Sequence, residues 1–253
     1  MDRQRWLDGT LYRPDFEQDS CGFGLMAQMD DKPSHWLVQT AISSLACLTH
    51  RGAVAADGKS GDGCGLLFKK PDSFLRTVAA ENGFKLNERY AAALVFLNQD
   101  KATAQHARTC LDQELTAQGL QVAGFRKVPT DPSACGEYAL ANMPVIEQIF
   151  VNCPDEIDAD AFERKLYIAR RGAEKALSAT DSAFYIPTLS ARVVSYKGLV
   201  MPDNLPCCIR TCGMNASLPP LRYIISVFPP THGLNGVWHN LSASSPTTVK
   251  STP

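Results

Sequence analysis

No apolar run in the 253 residues approaches the roughly 20 that a membrane-spanning helix needs. The first 20 residues, MDRQRWLDGTLYRPDFEQDS, also lack the apolar core of a secretory signal. Together these absences lead us to expect a cytoplasmic protein without a membrane partner. Charge of one sign is not in excess either. The chain has 25 basic and 26 acidic residues, a net charge of -1, and no basic cluster of the kind that binds nucleic acid. Nine cysteines are present, but no twin Cys-x-x-Cys spacing points to a zinc site. We therefore expect thiols rather than a disulfide framework, as a reducing compartment dictates, and no bound metal.

What is there is ordinary for a globular protein: 45% hydrophobic and 20% charged residues. The texture changes at Cys21. CGFGLMAQM reads as a strand with close-packed glycines. KPSHWLVQTAISSLACLTHRGA reads as a helix, with Ser34 as N-cap and Leu37, Ile42, Leu45 and Leu48 along its apolar stripe. A polar glycine-rich loop, AADGKSGDG, leads to a buried strand, CGLLF. Helices are expected over DSFLRTVAAENG and over residues 103–118 and 158–179. Strands are expected at YAAALVFL, LQVAGFRKVP and MPVIEQIFVNCP. FYIPTLS and ARVVSYKGLVM alternate like a pair of strands around a turn. Cys47 and Cys64 fall in a helix and a strand and read as core.

Cys21 carries the one arrangement that suggests chemistry. A lone cysteine is ordinarily buried packing. If the chain is cut after Ser20, however, Cys21 becomes the first residue. Its own α-amine, with a pKa near 8, then lies within reach of the thiol as a base, directly or through a water. One residue's geometry fixes both groups, which lowers the entropic cost of aligning them.

The order of the features that follow is specific. Cys-Gly-Phe-Gly at 21–24 is followed by a helix ending in His50-Arg51-Gly52-Ala53. The loop Asp57-Gly-Lys-Ser-Gly-Asp62-Gly63-Cys-Gly comes next. With SYKGLV and MPDNLP farther on, this run, over about residues 5–206, resembles the N-terminal class II glutamine amidotransferase domain of the glutamate synthase large chain. The resemblance implies an α+β fold, the four-layer αββα sandwich of N-terminal-nucleophile hydrolases, here incomplete. It implies a leader over residues 1–20, a partial amidotransferase domain over 21–206, and Cys21 as the catalytic nucleophile acting on glutamine. It places Arg51 and Gly52, and with them Asp62 and Gly63, as scaffold near that nucleophile. Asp62 is expected to bond the amides of its own glycine-rich turn. The loop lacks the Lys-Ser/Thr of a phosphate-binding loop, so it is not read as a nucleotide site. In full-length members of the family, ammonia passes to 2-oxoglutarate. FMN and an iron–sulfur cluster supply electrons there, delivered by a small chain or by ferredoxin. No cofactor is expected in this segment. Two alternatives stand beside this reading: another N-terminal-nucleophile amidohydrolase, and an inactive truncated fragment or non-catalytic module.

Residues 207–253 do not match what precedes them. They contain no acidic residue, hold three cysteines within six positions and show no helix or strand period. We read them as an aberrant tail without stable order. The family's domains go on to an Arg-Phe-Ser-Thr segment, whose arginine binds the substrate carboxylate, and to Ala-His-Asn-Gly-Glu-Ile-Asn-Thr, whose Asn-Gly helps form the oxyanion hole. Neither occurs here. Codons that spell HNGEINT, read one nucleotide later, spell the TTVKSTP at 247–253. CCIRTCGMNAS and SVFPPT can likewise be back-translated so that the neighbouring frame gives LLHPDLRDERL and QRFSTN. Resequencing the gene across codons 206–253 is therefore expected to reveal a one-nucleotide shift near Pro206. An unshifted gene would remove this explanation of the tail and leave a domain without its substrate clamp.

Overall fold

The computed structural model describes residues 23–29, 34–49, 54–208 and 224–227. In chain order the elements are β1 (Leu25–Ala27), α1 (His35–Cys47), β2 (Cys64–Lys69), α2 (Asp72–Glu81), β3 (Tyr90–Leu97), α3 (Lys101–Ala117) and β4 (Gln121–Lys127). They continue with α4 (Glu137–Ala141), β5 (Val145–Asn152), α5 (Ala159–Leu177), β6 (Val193–Gly198), α6 (Leu205–Cys208) and β7 (Ile224–Val227). The helices start where side chains satisfy the unpaired amides of a first turn. Ser34 accepts from Leu37 N, Asp100 from Thr103 N, and Asp158 from the amides of Asp160 and Ala161. Gly83 and Gly119, with φ of 75° and 73°, let the chain turn away after α2 and α3.

All strand pairs are antiparallel. One sheet has the order β1-β7-β2-β6 and the other β3-β5-β4. Alternate residues of β3 divide between two cores. Tyr90, Ala92, Leu94 and Phe96 pack with Leu66 and Phe68 of β2, Val194 and Tyr196 of β6, and apolar residues of α1 and α2. Ala91, Ala93, Val95 and Leu97 pack with Leu111 and Leu115 of α3 and Phe162, Leu166 and Ala169 of α5. A strand buried on both faces must be apolar throughout, which is why YAAALVFL shows no polar alternation. The expected mixed architecture with antiparallel sheets is present. Among the described residues, no helix is long and apolar enough to cross a membrane.

Three expectations need correction. FYIPTLS and ARVVSYKG do not pair with each other. β6 pairs with β2, whereas the earlier segment touches β3 only through isolated bridges, Phe96 with Tyr185 and Ala92 with Ser190. Pro187 has no N–H to give to a continuous ladder. The chain crosses from one sheet to the other at Ala191, where Glu163 of α5 accepts from Ser190 Oγ and from Ala191 N at 2.7 Å. Second, four residues of the tail form a strand. Ile224–Val227 lies between β1 and β2, pairing with both. Ile-Ile-Ser-Val is too short to show a period, but its β-branched residues suit a strand once two neighbours present free edges. The remainder of 209–253 lies outside the described residues. Third, Cys64 is buried, donating from Sγ to Val200 O, but Cys47 is exposed. It occupies the last turn of α1, past the buried Leu37, Val38, Ala41 and Leu45.

β2 and β6 approach closely because Gly65, opposite Lys197, has no side chain. A Cβ there would come within 2.9 Å of both Lys197 Cβ and Tyr196 O. Gly65→Val is expected to part the strands at a cost of about 1–3 kcal/mol, the usual range for overpacking. A urea titration should show a lower midpoint with an unchanged slope. An unchanged midpoint would mean that the approach is not tight.

Candidate functional site

The glycine-rich loop ahead of β2 is built from a tight turn and a carboxylate inside it. Val54 and Gly61 bridge across its neck, and Ala55 N donates to Ser60 O at 2.9 Å. Gly58 N donates back to Ala55 O, with φ of 66° at Gly58. Asp57 fills the turn. Its carboxylate accepts from Lys59 N at 2.9 Å, Ser60 N at 2.7 Å and Ser60 Oγ at 2.6 Å. The amides of Lys59 and Ser60 in this turn are therefore taken by Asp57. Asp62 lies exposed near the loop's end, and Gly63, with φ of 102°, turns the chain into β2.

The same two side chains dock the loop onto α4, some 80 residues later in the chain. The N-cap of α4 is Gly136, which has no side chain to cap with. Its task is performed from outside. Ala139 N donates to Ser60 Oγ at 3.1 Å, and Tyr138 N donates to Asp57 Oδ2 at 3.4 Å. These amides would otherwise lack partners in the first helical turn. Glycine is required at 136 because a Cβ would collide with Asp57 Oδ2, Ser60 Oγ and Ser60 N. Asp57, Ser60 and Gly136 were not singled out from the sequence. The Asp-x-x-Ser spacing hinted at a self-bonded turn, but nothing local could disclose that the turn caps a helix far along the chain.

Hydrogen bonds from Ser60, first from its hydroxyl and then from its amide, hold the Asp57 carboxyl well below the usual carboxylate range. Those from Lys59 and Tyr138 add to this, while burial opposes it. At the far side of β2, burial pushes the Lys197 ammonium down to about 8. Its Nζ donates to Tyr185 Oη at 3.3 Å and stands 4.8 Å from the centre of that ring.

Of the residues the sequence proposed, the structure places Asp62 and Gly63 on this loop. Cys21, Arg51 and Gly52 lie outside the described residues. The sheet register nevertheless fixes how the flanking strands run. β1 and β2 are both antiparallel to β7, so they run the same way, and Leu25 and Leu67 both lie opposite Ser226. The segment before β1 and the loop before β2 therefore approach the sheet from the same end.

Ser60→Ala should leave the buried Ala139 amide without an acceptor, at about 1–3 kcal/mol, read as a lower unfolding midpoint and faster exchange of that amide. Because the folded-state pKa of Asp57 is depressed, its contribution to stability is present above the ordinary carboxylate pKa of about 4 and is lost as pH falls toward the folded value. The midpoint difference between the protein and Asp57→Asn should therefore shrink on acidification. A difference independent of pH would contradict this account of the turn.

A family model described as glutamine amidotransferases class-II matches residues 21–209. The chain is 34% identical over 196 residues to the "Glutamate synthase [NADPH] large chain" of Bacillus subtilis (strain 168), covering 77% of this chain and 13% of that protein. It is 39% identical over 199 residues to the protein of the same name from Azospirillum brasilense, covering 78% of this chain and 13% of that protein. A further relative, the "Ferredoxin-dependent glutamate synthase, chloroplastic" of Oryza sativa subsp. japonica, is 37% identical over 193 residues, 75% of this chain and 12% of the relative. The chain thus spans about one-eighth of the length of these relatives. With a family match over three-quarters of its residues, the chain belongs to the class-II glutamine amidotransferases.

Proposed function

We propose that residues 21–206 form the glutaminase domain of a glutamate synthase, with Cys21 as an N-terminal nucleophile. The observation that carries this is the position of the family match, which begins at residue 21, the cysteine that removal of residues 1–20 would expose. The register supports it. Cys21 lies four residues before Leu25, as Gly63 lies four before Leu67. Four residues span at most about 14 Å, which supports a reading in which the thiol and the Asp62–Gly63 turn share one end of the sheet. There Arg51, Gly52, Asp62 and Gly63 would act as scaffold. The architecture we propose for the complete domain is the four-layer αββα sandwich.

In the reaction, the α-amine of Cys21 takes the thiol proton, directly or through a water. The thiolate attacks the side-chain amide carbon of glutamine, and its C=O becomes an oxyanion. As the C–N bond breaks, the nitrogen takes up the proton and leaves as ammonia, giving a γ-glutamyl thioester. Water, deprotonated by the same amine, attacks the thioester, releasing glutamate and restoring the thiol. In a full-length enzyme the ammonia would go to 2-oxoglutarate. The relatives' names, with NADPH in some and ferredoxin in others, suggest a small chain or ferredoxin as the electron source. FMN and an iron–sulfur cluster would serve that later reduction. Among the described residues no group of three or more His, Cys, Asp or Glu could ligate a metal, so no step here is assigned to them.

The tail favours a second statement about this polypeptide. Lacking both the Arg-Phe-Ser-Thr and the His-Asn-Gly segments, it keeps the nucleophile without the carboxylate clamp or the oxyanion donors. Loss of one oxyanion donor typically costs about 10²–10³-fold in turnover. The chain as it stands is expected to release ammonia from glutamine at least ~100-fold more slowly than one restored to the HNGEINT frame. Cys21→Ala should abolish the restored activity, and intact mass should show loss of residues 1–20. A restored, processed chain without glutaminase activity would overturn the proposal.

A further inference from the structure

Arg126 of β4 and Gln148 of β5 are cross-strand partners, and Leu94 of β3 lies level with Gln148. Residues paired in this way point to the same face of a sheet. On that face Leu94, Ile146 and Phe150 pack into the core shared with the other sheet. Gln148 is wholly buried, at 0% exposure. Arg126 Nε donates to Gln148 Oε1 at 2.8 Å, which fixes the amide's orientation, since the reverse would set its NH2 against the guanidinium. The amide oxygen is then engaged, and the buried atoms of the pair that lack a partner are donors alone. Arg126 Nη2 and Gln148 Nε2 are both buried, and no acceptor among the described residues reaches either.

This is an unusual thing to bury. Burial pushes the Arg126 guanidinium below its ordinary pKa, and the fields of Tyr196 and Glu81 oppose that shift. Neither residue makes an ion pair with Arg126. Buried charges are normally paired, and buried donors normally bonded. A water could accept from both donors but would leave the charge uncompensated. A carboxylate has two oxygens that only accept, and it carries the opposite charge.

We propose that Arg126 and Gln148 form a buried carboxylate-binding pair between the two sheets, in which Arg126 Nη2 and Gln148 Nε2 each donate to a carboxylate. The carboxylate is either a free small molecule or a side chain of this polypeptide. Residues 207–253 contain no Asp or Glu, so the tail cannot supply it. Outside the described residues, acidic side chains occur only within 1–22 and at Asp30 and Asp31. This inference does not depend on the role of Cys21.

The test is thermal unfolding of the full chain at fixed ionic strength, with sodium acetate or sodium L-glutamate replacing sodium chloride, alongside Arg126→Met and Gln148→Leu. A free ligand should raise the midpoint of the unaltered protein with the logarithm of its concentration above Kd, and should do so in neither variant. An internal carboxylate gives no such response. Both variants then melt lower at pH 7, and the deficit shrinks as pH falls through the carboxylate range near 4. Should Arg126→Met fail to fold, Gln148→Leu, which keeps the charge, and the acetate titration carry the test. The proposal is overturned if carboxylates have no effect and the variants melt at or above the unaltered midpoint, or lower by an amount independent of pH.

Discussion

Tyr90–Leu97 is a strand with apolar side chains on both faces and hydrogen-bonded neighbours on both edges, β5 on one and the bridges at Tyr185 and Ser190 on the other. Such a strand is stable only when both faces are covered. One face calls for the paired helices α3 and α5, the other for a second sheet. Everything else is arranged around that demand. α5 also steers the chain between the sheets, because Glu163 holds the Ser190–Ala191 corner where the path leaves β3 for β6.

The second sheet is where the chemistry would be, and it is assembled from distant pieces. β1 has no partner among the described residues except β7, and β7 also supplies one edge of β2. The loop ahead of β2 owes its shape to Asp57 and its position to the amides of α4. The segment entering β1 and the glycine-rich turn ahead of β2 thereby approach one end of the sheet by register. No contact local in sequence does this. Precise placement of this kind is what a covalent amidohydrolase requires, since its gain comes from holding thiol, base and amide in alignment.

The Arg-Phe-Ser-Thr and His-Asn-Gly segments, to which the proposed function assigns the substrate clamp and an oxyanion donor, do not occur in the sequence after Pro206. That stretch also carries no carboxylate, so it offers no counter-charge to the half-buried Arg126, whose Nη2 is buried without an acceptor among the described residues.

Much of the fold was legible because its signals are local. Ser34 caps α1 as expected, the bounds of α2, α3 and α5 fall within two residues of those expected, and the apolar runs of β2, β3 and β5 fall where expected. The family was legible for another reason: Cys21, the HRGA segment and the glycine-rich loop occur in a fixed order, and order survives in sequence. What could not be read depends on partners far away in the chain. Pro187 breaking a ladder, Ile224–Val227 filling a gap between two strands, and Asp57 with Ser60 capping a helix whose own N-cap is glycine are each decided by a neighbour that sequence does not name. The sequence by itself determined most of the elements, the candidate nucleophile and the family. Only the tertiary structure decided which edges pair and which buried donors find acceptors, because hydrogen bonds across sheets and between loops are satisfied in space rather than along the chain.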